Sequence, residues 1–199
     1  MLAPELLREG LLADLCVLVA GATEPDAHFS PAVSEACAEL GARVHTCAFD
    51  AAGEAVVDEL LTAAVAELGG LDLLVLDCAG LFNAGVPGAL RMCLDATWNV
   101  TRAVVNGAFL PADEPSSPGG RIIYLAPAPD AGEYAQAACA GLENLARTLS
   151  IEWARYGITT VTIAAGEATT TGEVAALTAY LASPAGAFFS GCLLDLRGV

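Results

Sequence analysis

An uninterrupted strand, helix and strand between Arg121 and Gly166 is the feature that most constrains this fold. The segment opens with a short apolar, β-prone run from Ile122 to Leu125 and closes with a second run from Ile158 to Ala164. Between these runs, leucines recur at the spacing of one helical face, at Leu142, Leu145 and Leu149. Two strands joined by a helix run parallel, and a parallel sheet needs cover on both faces. The segment therefore predicts an α/β fold.

The rest of the chain continues this alternation of apolar strands and helical patterns. It predicts strands at Asp14 to Ala20, Arg43 to Phe49, Leu71 to Asp77 and Cys192 to Leu196, and helices at about Pro31 to Leu40, Gly53 to Leu68, Ala89 to Phe109 and Gly172 to Ala182. Ser30 before Pro31 predicts a helix start capped by a side chain. The second helix is expected to bury one face, made of Val56, Leu60, Ala63, Ala64 and Leu68. We expect one domain, residues 1–199, with a Rossmann-like doubly wound parallel sheet of about six to seven strands flanked by helices.

Charge and cysteine content narrow the classes of partner and site. A formal net charge of −16 repels nucleic acid and anionic membranes. No run approaches about 18 apolar residues and no basic region precedes an apolar segment at the N-terminus, so we expect a cytoplasmic protein without a membrane partner. Seven scattered cysteines without a C-x-x-C pair predict reduced, buried thiols. His28 and His45 have no paired ligands at metal spacing, so no metal site is expected.

Tyr134 stands before an alanine-rich helix that ends in LARTLSIEWARYGI, and the following strand ends in Ala164-Ala165-Gly166. This segment resembles the centre of the short-chain dehydrogenase/reductase family, in which the helix carries a Tyr-x-x-x-Lys pair and the next strand ends in Pro-Gly. The resemblance extends over nearly the whole chain. It implies a Rossmann-like fold, and in active members it implies an NAD(P)-dependent oxidoreductase.

The cofactor positions depart from the family pattern. The resemblance implies that Gly21 begins the turn at the dinucleotide pyrophosphate, where three glycines allow a close backbone approach. Counting forward from Gly21 places Pro25 and Ala27 at the other two positions, and counting back from the helix places His28 and Ser30 there. Neither count finds glycine, and Glu24 and Asp26 would add carboxylates near the phosphates. The family's Asn-Asn-Ala-Gly turn corresponds to Asp77-Cys78-Ala79-Gly80, so Gly21, Asp77 and Gly80 are the positions that correspond to the family's cofactor site.

The catalytic positions depart as well. The family's carbonyl-orienting Ser falls at Ala126 or Pro127, its Lys at Ala138 and its relay Asn at Cys93, so only Tyr134 keeps the family's residue. A phenol with no cation beside it is expected to titrate near about 10 and to be a poor base at neutral pH. Several segments are also shorter than in the family. After Gly166 no room remains for the substrate lid, and one strand–helix unit is expected to be missing between Gly41 and Asp77. The sequence therefore resembles a truncated, degenerate member of the family.

The segments that match the family best are those that form its subunit interfaces. In the family, the helix after Tyr134 and the helix before it form a four-helix bundle with their counterparts, and the last helix and strand form a second interface. Large aromatic residues in these segments are favoured anchors at interfaces. The interface candidates are Trp98, Arg102, Leu145, Leu149, Trp153, Tyr156, Phe188 and Phe189.

We therefore expect a non-catalytic subunit that pairs through its two long helices with an active paralogue, or with itself. The resemblance implies that NAD(P) is held by the partner and not by this chain, in a hydroxyacyl or ketoacyl thioester dehydrogenase or reductase of secondary metabolism or aromatic degradation. The alternative is an enzyme with changed, cofactor-independent chemistry, such as an isomerase, cyclase or dehydratase. It would use Asp77, Cys93, Tyr134 and Glu167 in a closed pocket of roughly 300 Å3 or more. A third possibility is nucleotide binding in a sensing role.

Overall fold

The computed structural model describes residues 7–22, 28–49, 54–82, 86–110 and 119–198. These residues form a six-stranded sheet in which every strand pair is parallel. The strands are β1 (Cys16–Gly21), β2 (Arg43–Ala48), β3 (Leu73–Asp77), β4 (Arg121–Ala126), β5 (Thr159–Ala164) and β6 (Cys192–Asp195), in the spatial order β2-β1-β3-β4-β5-β6. The predicted Rossmann-like α/β fold is therefore confirmed.

Within the described ranges, six helices connect the strands. They are α1 (Ser30–Glu39), α2 (Glu54–Leu68), the one-turn α3 (Cys78–Leu81), α4 (Ala89–Val104), α5 (Ala135–Glu152) and α6 (Thr171–Ala182). Short turns extend three of them: a π-helical turn over Val105–Phe109 and 3-10 turns over Ala154–Tyr156 and Pro184–Phe188. In the described part of the chain, α2 is the sole element between β2 and β3, so β2 forms one edge of the sheet.

The helices cover the sheet on both faces, and this produces two separate cores. Helices α1 and α6 pack with Val19 and Val75 on one face. Helices α2, α4 and α5 pack with Leu74 and Ile122 on the other face. The four central strands β1, β3, β4 and β5 are almost completely buried, which explains their continuous apolar sequences.

The buried face of α2 differs from the expected one. Val57 and Leu61 lie in the core, whereas Val56 is 48% exposed. Ala64 and Leu68 are buried as expected. The helix carries two overlapping apolar rows, and the contacts of α2 with α4 and β2 select the one that is offset by one residue.

Two threonine hydroxyl groups link strand β5 to helix α5 in the central crossover. Thr160 and Thr162 of β5 are buried and donate hydrogen bonds to the carbonyl oxygens of Ala146 and Leu142 in α5, at 2.8 and 3.2 Å. Gly141 faces α4, where an added Cβ would lie 3.1 Å from Leu94 Cδ2. The absence of a side chain at this position allows α4 and α5 to pack closely.

Candidate functional site

The carboxyl end of β3 carries a completely buried carboxylate, that of Asp77. Its Oδ2 atom accepts hydrogen bonds from the backbone N–H groups of His28, Phe29 and Ser30 at 3.1, 2.6 and 2.8 Å, and from the Ser30 hydroxyl at 2.9 Å. Its Oδ1 atom accepts from the Gly80 N–H at 3.1 Å. One side chain therefore links the end of β3 to the starts of α1 and α3.

The Ser30 cap predicted from the sequence is wrong. Helix α1 begins at Ser30 itself, and the residue before it, Phe29, makes no side-chain cap. The first N–H groups of a helix have no partner within the helix, so an acceptor must come from elsewhere. Here Asp77, far away in the sequence, supplies the oxygen, and the Ser30 hydroxyl donates to it.

The turn after β1 lies against the same carboxylate. A Cβ added to Gly21 would lie 2.7 Å from Ser30 Oγ and 3.0 Å from Asp77 Cβ. The ends of β1 and β3 and the start of α1 are therefore in close contact. Of the positions matched to the family's glycines, Pro25 and Ala27 lie outside the described residues, as do Glu24 and Asp26. His28 is exposed and packs edge-on against the Phe29 ring, with centroids 4.3 Å apart.

The positions matched to the family's catalytic Ser, Lys and Asn lie in the protein interior. Ala126, Pro127, Ala138 and Cys93 are all buried. Ala138 and Cys93 belong to the core on the α2, α4 and α5 face. No lysine from another position can take this role, because all eight Lys or Arg residues of the chain are arginines. Sequence counting alone could have revealed this lack of lysine.

Tyr134 differs from these buried positions. It is 60% exposed and adopts a left-handed backbone conformation, with φ of 70°, immediately before α5. The pKa of its phenol is raised from the usual value, because the neighbouring Glu133 accepts a hydrogen bond from the neutral form and repels the anion. The pKa of Tyr134 therefore lies above the expected value, so even less of the phenol is ionised and able to act as a base at neutral pH.

An open groove lies between the start of α4 and the residues that precede α5. We call it the α4–α5 groove; its volume is about 630 Å3 and its lining is formed by Val86, Pro87, Gly88, Ala89, Leu90, Arg91, Leu94, Asp95, Glu133 and Tyr134. Of the four groups expected to serve a cofactor-independent reaction, only Tyr134 lines it. Asp77 and Cys93 are buried elsewhere, and Glu167 is exposed in the turn after β5. The structure does not bring these four side chains together in this groove.

Cys93 lies in a small buried polar cluster with Cys78 and Thr97. The Thr97 hydroxyl donates to the Cys93 carbonyl at 2.8 Å and lies 3.3 Å from Cys78 Sγ, and Cys93 Sγ donates to the Cys78 carbonyl at 3.5 Å. Burial raises the pKa of the Cys78 thiol. All seven cysteines are free thiols and all but Cys192 are buried, which confirms the expectation from their sequence pattern.

The expected interface residues fall into two groups. Trp98 on α4 is 42% exposed and Phe188 after α6 is 92% exposed. The others are partly or fully covered by the chain itself: Leu145, Trp153 and Tyr156 pack on the core, Leu149 is buried, Arg102 is half-buried, and Phe189 contacts the Tyr180 ring at a centroid distance of 6.2 Å. Their role in assembly stays a prediction, and Leu149 offers little surface to a partner.

Two exposed apolar residues in the same helices were missed by the sequence reasoning. Ile151 near the end of α5 is 75% exposed, and Met92 on α4 is 43% exposed. Ile151 stands between Ser150 and Glu152 in the sequence, a signal that could have identified it, whereas Met92 stands between Arg91 and the buried Cys93.

The described residues contain no candidate metal cluster and no candidate membrane span. Among the residues with described positions, no group of three or more His, Cys, Asp or Glu side chains could hold a metal ion. His45 instead contacts Glu67, with 3.0 Å between Nδ1 and Oε2. None of the helices in the described ranges is both long and apolar enough to cross a membrane.

The chain matches known proteins in both sequence pattern and structure. The family described as short chain dehydrogenase matches residues 5–180. No curated protein sequence matches the chain. Among solved structures, the chain is similar to a citronellol catabolism dehydrogenase of Pseudomonas aeruginosa PAO1, with a TM-score of 0.75, 22% identity and 97% of each chain covered. It is also similar to a short chain dehydrogenase of Mycobacterium smegmatis, with a TM-score of 0.76, 23% identity and 94% and 93% of the two chains covered.

A third solved structure, a hydroxysteroid dehydrogenase of Escherichia coli, has a TM-score of 0.76 at 18% identity and covers 96% of this chain and 98% of its own. At these identities the structures show the fold alone. The family match spans most of the chain and agrees with the parallel six-stranded sheet. The chain therefore belongs to the short-chain dehydrogenase family.

Proposed function

We propose that this chain is a degenerate, non-catalytic member of its family that acts as a subunit of an NAD(P)-dependent oxidoreductase. It pairs through α4 and α5 with an active paralogue, which holds the cofactor and carries out the reaction. By analogy with mixed complexes in the family, the substrate is a hydroxyacyl or ketoacyl thioester of secondary metabolism or aromatic degradation. In this proposal the complex acts in the cytoplasm.

One observation carries the non-catalytic part of the proposal. The positions that correspond to proton transfer hold buried residues without a titratable oxygen or nitrogen, namely Ala126, Pro127 and Ala138. Tyr134, the one residue retained, has its pKa raised by Glu133. Active members lower this pKa with a nearby cation, and a chain without lysine has no amine to do so.

The surface of the two long helices supports the pairing. Residues 86–110 and 134–157 contain four arginines and three carboxylates, a balance of +1, although the whole chain carries −16. This surface therefore avoids the self-repulsion of the acidic remainder. It also exposes Trp98, Met92 and Ile151, and aromatic and apolar side chains of this kind are frequent anchors in protein interfaces.

The test is to express the chain alone and together with a reductase encoded beside its gene. Light scattering after size exclusion would give the mass of each species, and NADH fluorescence would follow cofactor binding. We expect a mixed oligomer that binds NADH with one site per active subunit, and no NADH binding by the chain alone. Oxidation or reduction of a substrate with NAD(P) by the isolated chain would refute the proposal.

The assignment of NADH to one subunit needs a matched control. Substituting the catalytic Tyr of the active paralogue should abolish turnover by the complex, whereas Tyr134→Phe in this chain should leave kcat unchanged. A loss of turnover in the Tyr134→Phe complex would place Tyr134 in the reaction and contradict the non-catalytic role. A homo-oligomer that does not bind the reductase would contradict the pairing and would favour the alternative of a cofactor-independent reaction in the α4–α5 groove.

A further inference from the structure

We propose that the Asp77 carboxylate occupies the position at the N-terminus of α1 where an anion would otherwise bind. It thereby prevents phosphate-bearing ligands from binding at this helix end. The inference deepens the proposed function, on which it rests, because it gives a physical reason why the dinucleotide would be left to the partner. It concerns a contact within this chain and can be tested without any partner.

The first step is the geometry of the donors. Three successive backbone N–H groups, those of His28, Phe29 and Ser30, point at the single oxygen Oδ2 of Asp77, at 2.6 to 3.1 Å. The unpaired N–H groups at the start of a helix, together with the positive end of its dipole, form the site at which nucleotide-binding folds hold phosphate. In this chain a side-chain oxygen already occupies the point where these donors converge.

The second step is the completeness of this arrangement. Asp77 is completely buried, and a buried carboxylate persists only when hydrogen bonds replace the water it has lost. The Ser30 hydroxyl and the Gly80 N–H complete the set, at 2.9 and 3.1 Å, so that five donors face the two oxygens. Gly21 closes the third side, where even one added carbon would lie 2.7 Å from Ser30 Oγ.

The third step is the consequence for a ligand. A phosphate at this helix end would have to displace the carboxylate oxygen from its donors, or lie beside a buried negative charge. Repulsion between like charges is strong where water is excluded, because the effective dielectric constant is low. The residues present therefore do not fit a dinucleotide whose phosphate lies at α1.

Removing the carboxylate provides the test. Asp77→Ala leaves a space of carboxylate size that is lined by the same donors, so formate should bind there and stabilise the variant. We expect the variant to have a lower Tm than the unsubstituted chain, and the Tm to rise saturably with sodium formate beyond its rise in sodium chloride of equal ionic strength. The unsubstituted chain, whose site is full, should respond equally to both salts.

Two matched variants serve as controls. Asp77→Asn keeps the shape of the side chain and fills the space, so formate should give it no specific stabilisation. Asp58→Ala removes an exposed carboxylate of α2 and should behave like the unsubstituted chain. A Tm of Asp77→Ala that rises no more in formate than in chloride would overturn the inference.

A second measurement addresses phosphate ligands and remains available if Asp77→Ala does not fold. Equilibrium dialysis with inorganic pyrophosphate at low salt would compare the unsubstituted chain with Asp77→Ser, whose short hydroxyl side chain leaves space at the donors and can still accept one of their hydrogen bonds. Loss of the buried charge should increase the affinity at least about tenfold. Equal affinities would show that Asp77 does not close the site. Either failure would leave the proposed pairing intact, because mass measurement of the mixed oligomer does not depend on Asp77.

Discussion

Substitution of Ile151 gives the sharpest test of where a partner subunit binds. This side chain is 75% exposed on α5, so truncating it removes few contacts within the chain. Burial of a complete isoleucine side chain contributes about 1.5–3 kcal/mol. Three quarters of that amount, about 1–2 kcal/mol, should be lost from the association with the partner in Ile151→Ala. This corresponds to a rise in Kd of about 5- to 30-fold.

Trp98 provides a second position on the same surface. It is 42% exposed, and a tryptophan at the centre of an interface commonly contributes 2 kcal/mol or more, so Trp98→Ala should raise Kd by at least about 30-fold. Sedimentation or surface binding would give the Kd of each variant with the reductase subunit. Circular dichroism melting would check that the variants stay folded, since a general loss of stability would lower affinity for another reason.

Val56→Ala is the matched control. Val56 is 48% exposed on α2, outside the surface of α4 and α5, so its truncation should leave the Kd unchanged. Equal Kd values for Ile151→Ala, Trp98→Ala and the unsubstituted chain would refute the assignment of this surface. An effect of Val56→Ala as large as that of Ile151→Ala would move the interface to α2.

Three further predictions concern single side chains. Arg121, at the start of β4, donates hydrogen bonds to the carbonyl oxygens of Leu181, Ala182 and Ser183 at the end of α6. Arg121→Met should therefore lower the free energy of unfolding, measured in urea, by about 2–4 kcal/mol. The control Arg91→Met changes an exposed arginine and should alter this free energy by less than about 0.5 kcal/mol. Hydrogen bonds from Arg197 lower the pKa of Asp195 to about 2. The small stabilisation of the fold by this pair should therefore be complete above about pH 4 and be lost as the pH falls towards 2. NMR titration of the Asp195 carboxyl carbon would measure this pKa. Absorbance at high pH should show Tyr134 ionising above its usual pKa and closer to it in Glu133→Gln; an unchanged titration would remove Glu133 as the cause.

The architecture could be predicted from local patterns. Apolar runs long enough for buried strands alternate with helical spacing along the chain. Each predicted strand and long helix appears within two residues of its expected bounds, except that α4 ends at Val104 and the expected stretch to Phe109 continues as a π-helical turn. The reason is that a parallel strand buried on both faces requires a continuous apolar sequence, which is a local property. The same reasoning identified the cysteines as buried thiols.

Contacts between distant residues could not be predicted in this way. Ser30 was expected to cap its own helix because serine commonly does so, yet it donates to Asp77, which is distant in sequence and arrives through the pairing of β1 with β3. In α2, the choice between the rows containing Val56 and Val57 depends on which side the helix packs. Periodicity gives the existence of an apolar face, but the rotation of the helix is decided by its neighbours.

The sequence by itself determined the fold class, the resemblance to short-chain dehydrogenases and the residues at each matched position, because these follow from residue types and their spacing. Only the tertiary structure decided what those residues do. It made Asp77 the shared acceptor of two helix starts, placed Ala126 and Ala138 in the core, and left Tyr134 exposed beside Glu133. The physical reason is that hydrogen bonding, burial and charge interactions depend on distances in space, and parallel strand pairing brings together residues that are far apart along the chain.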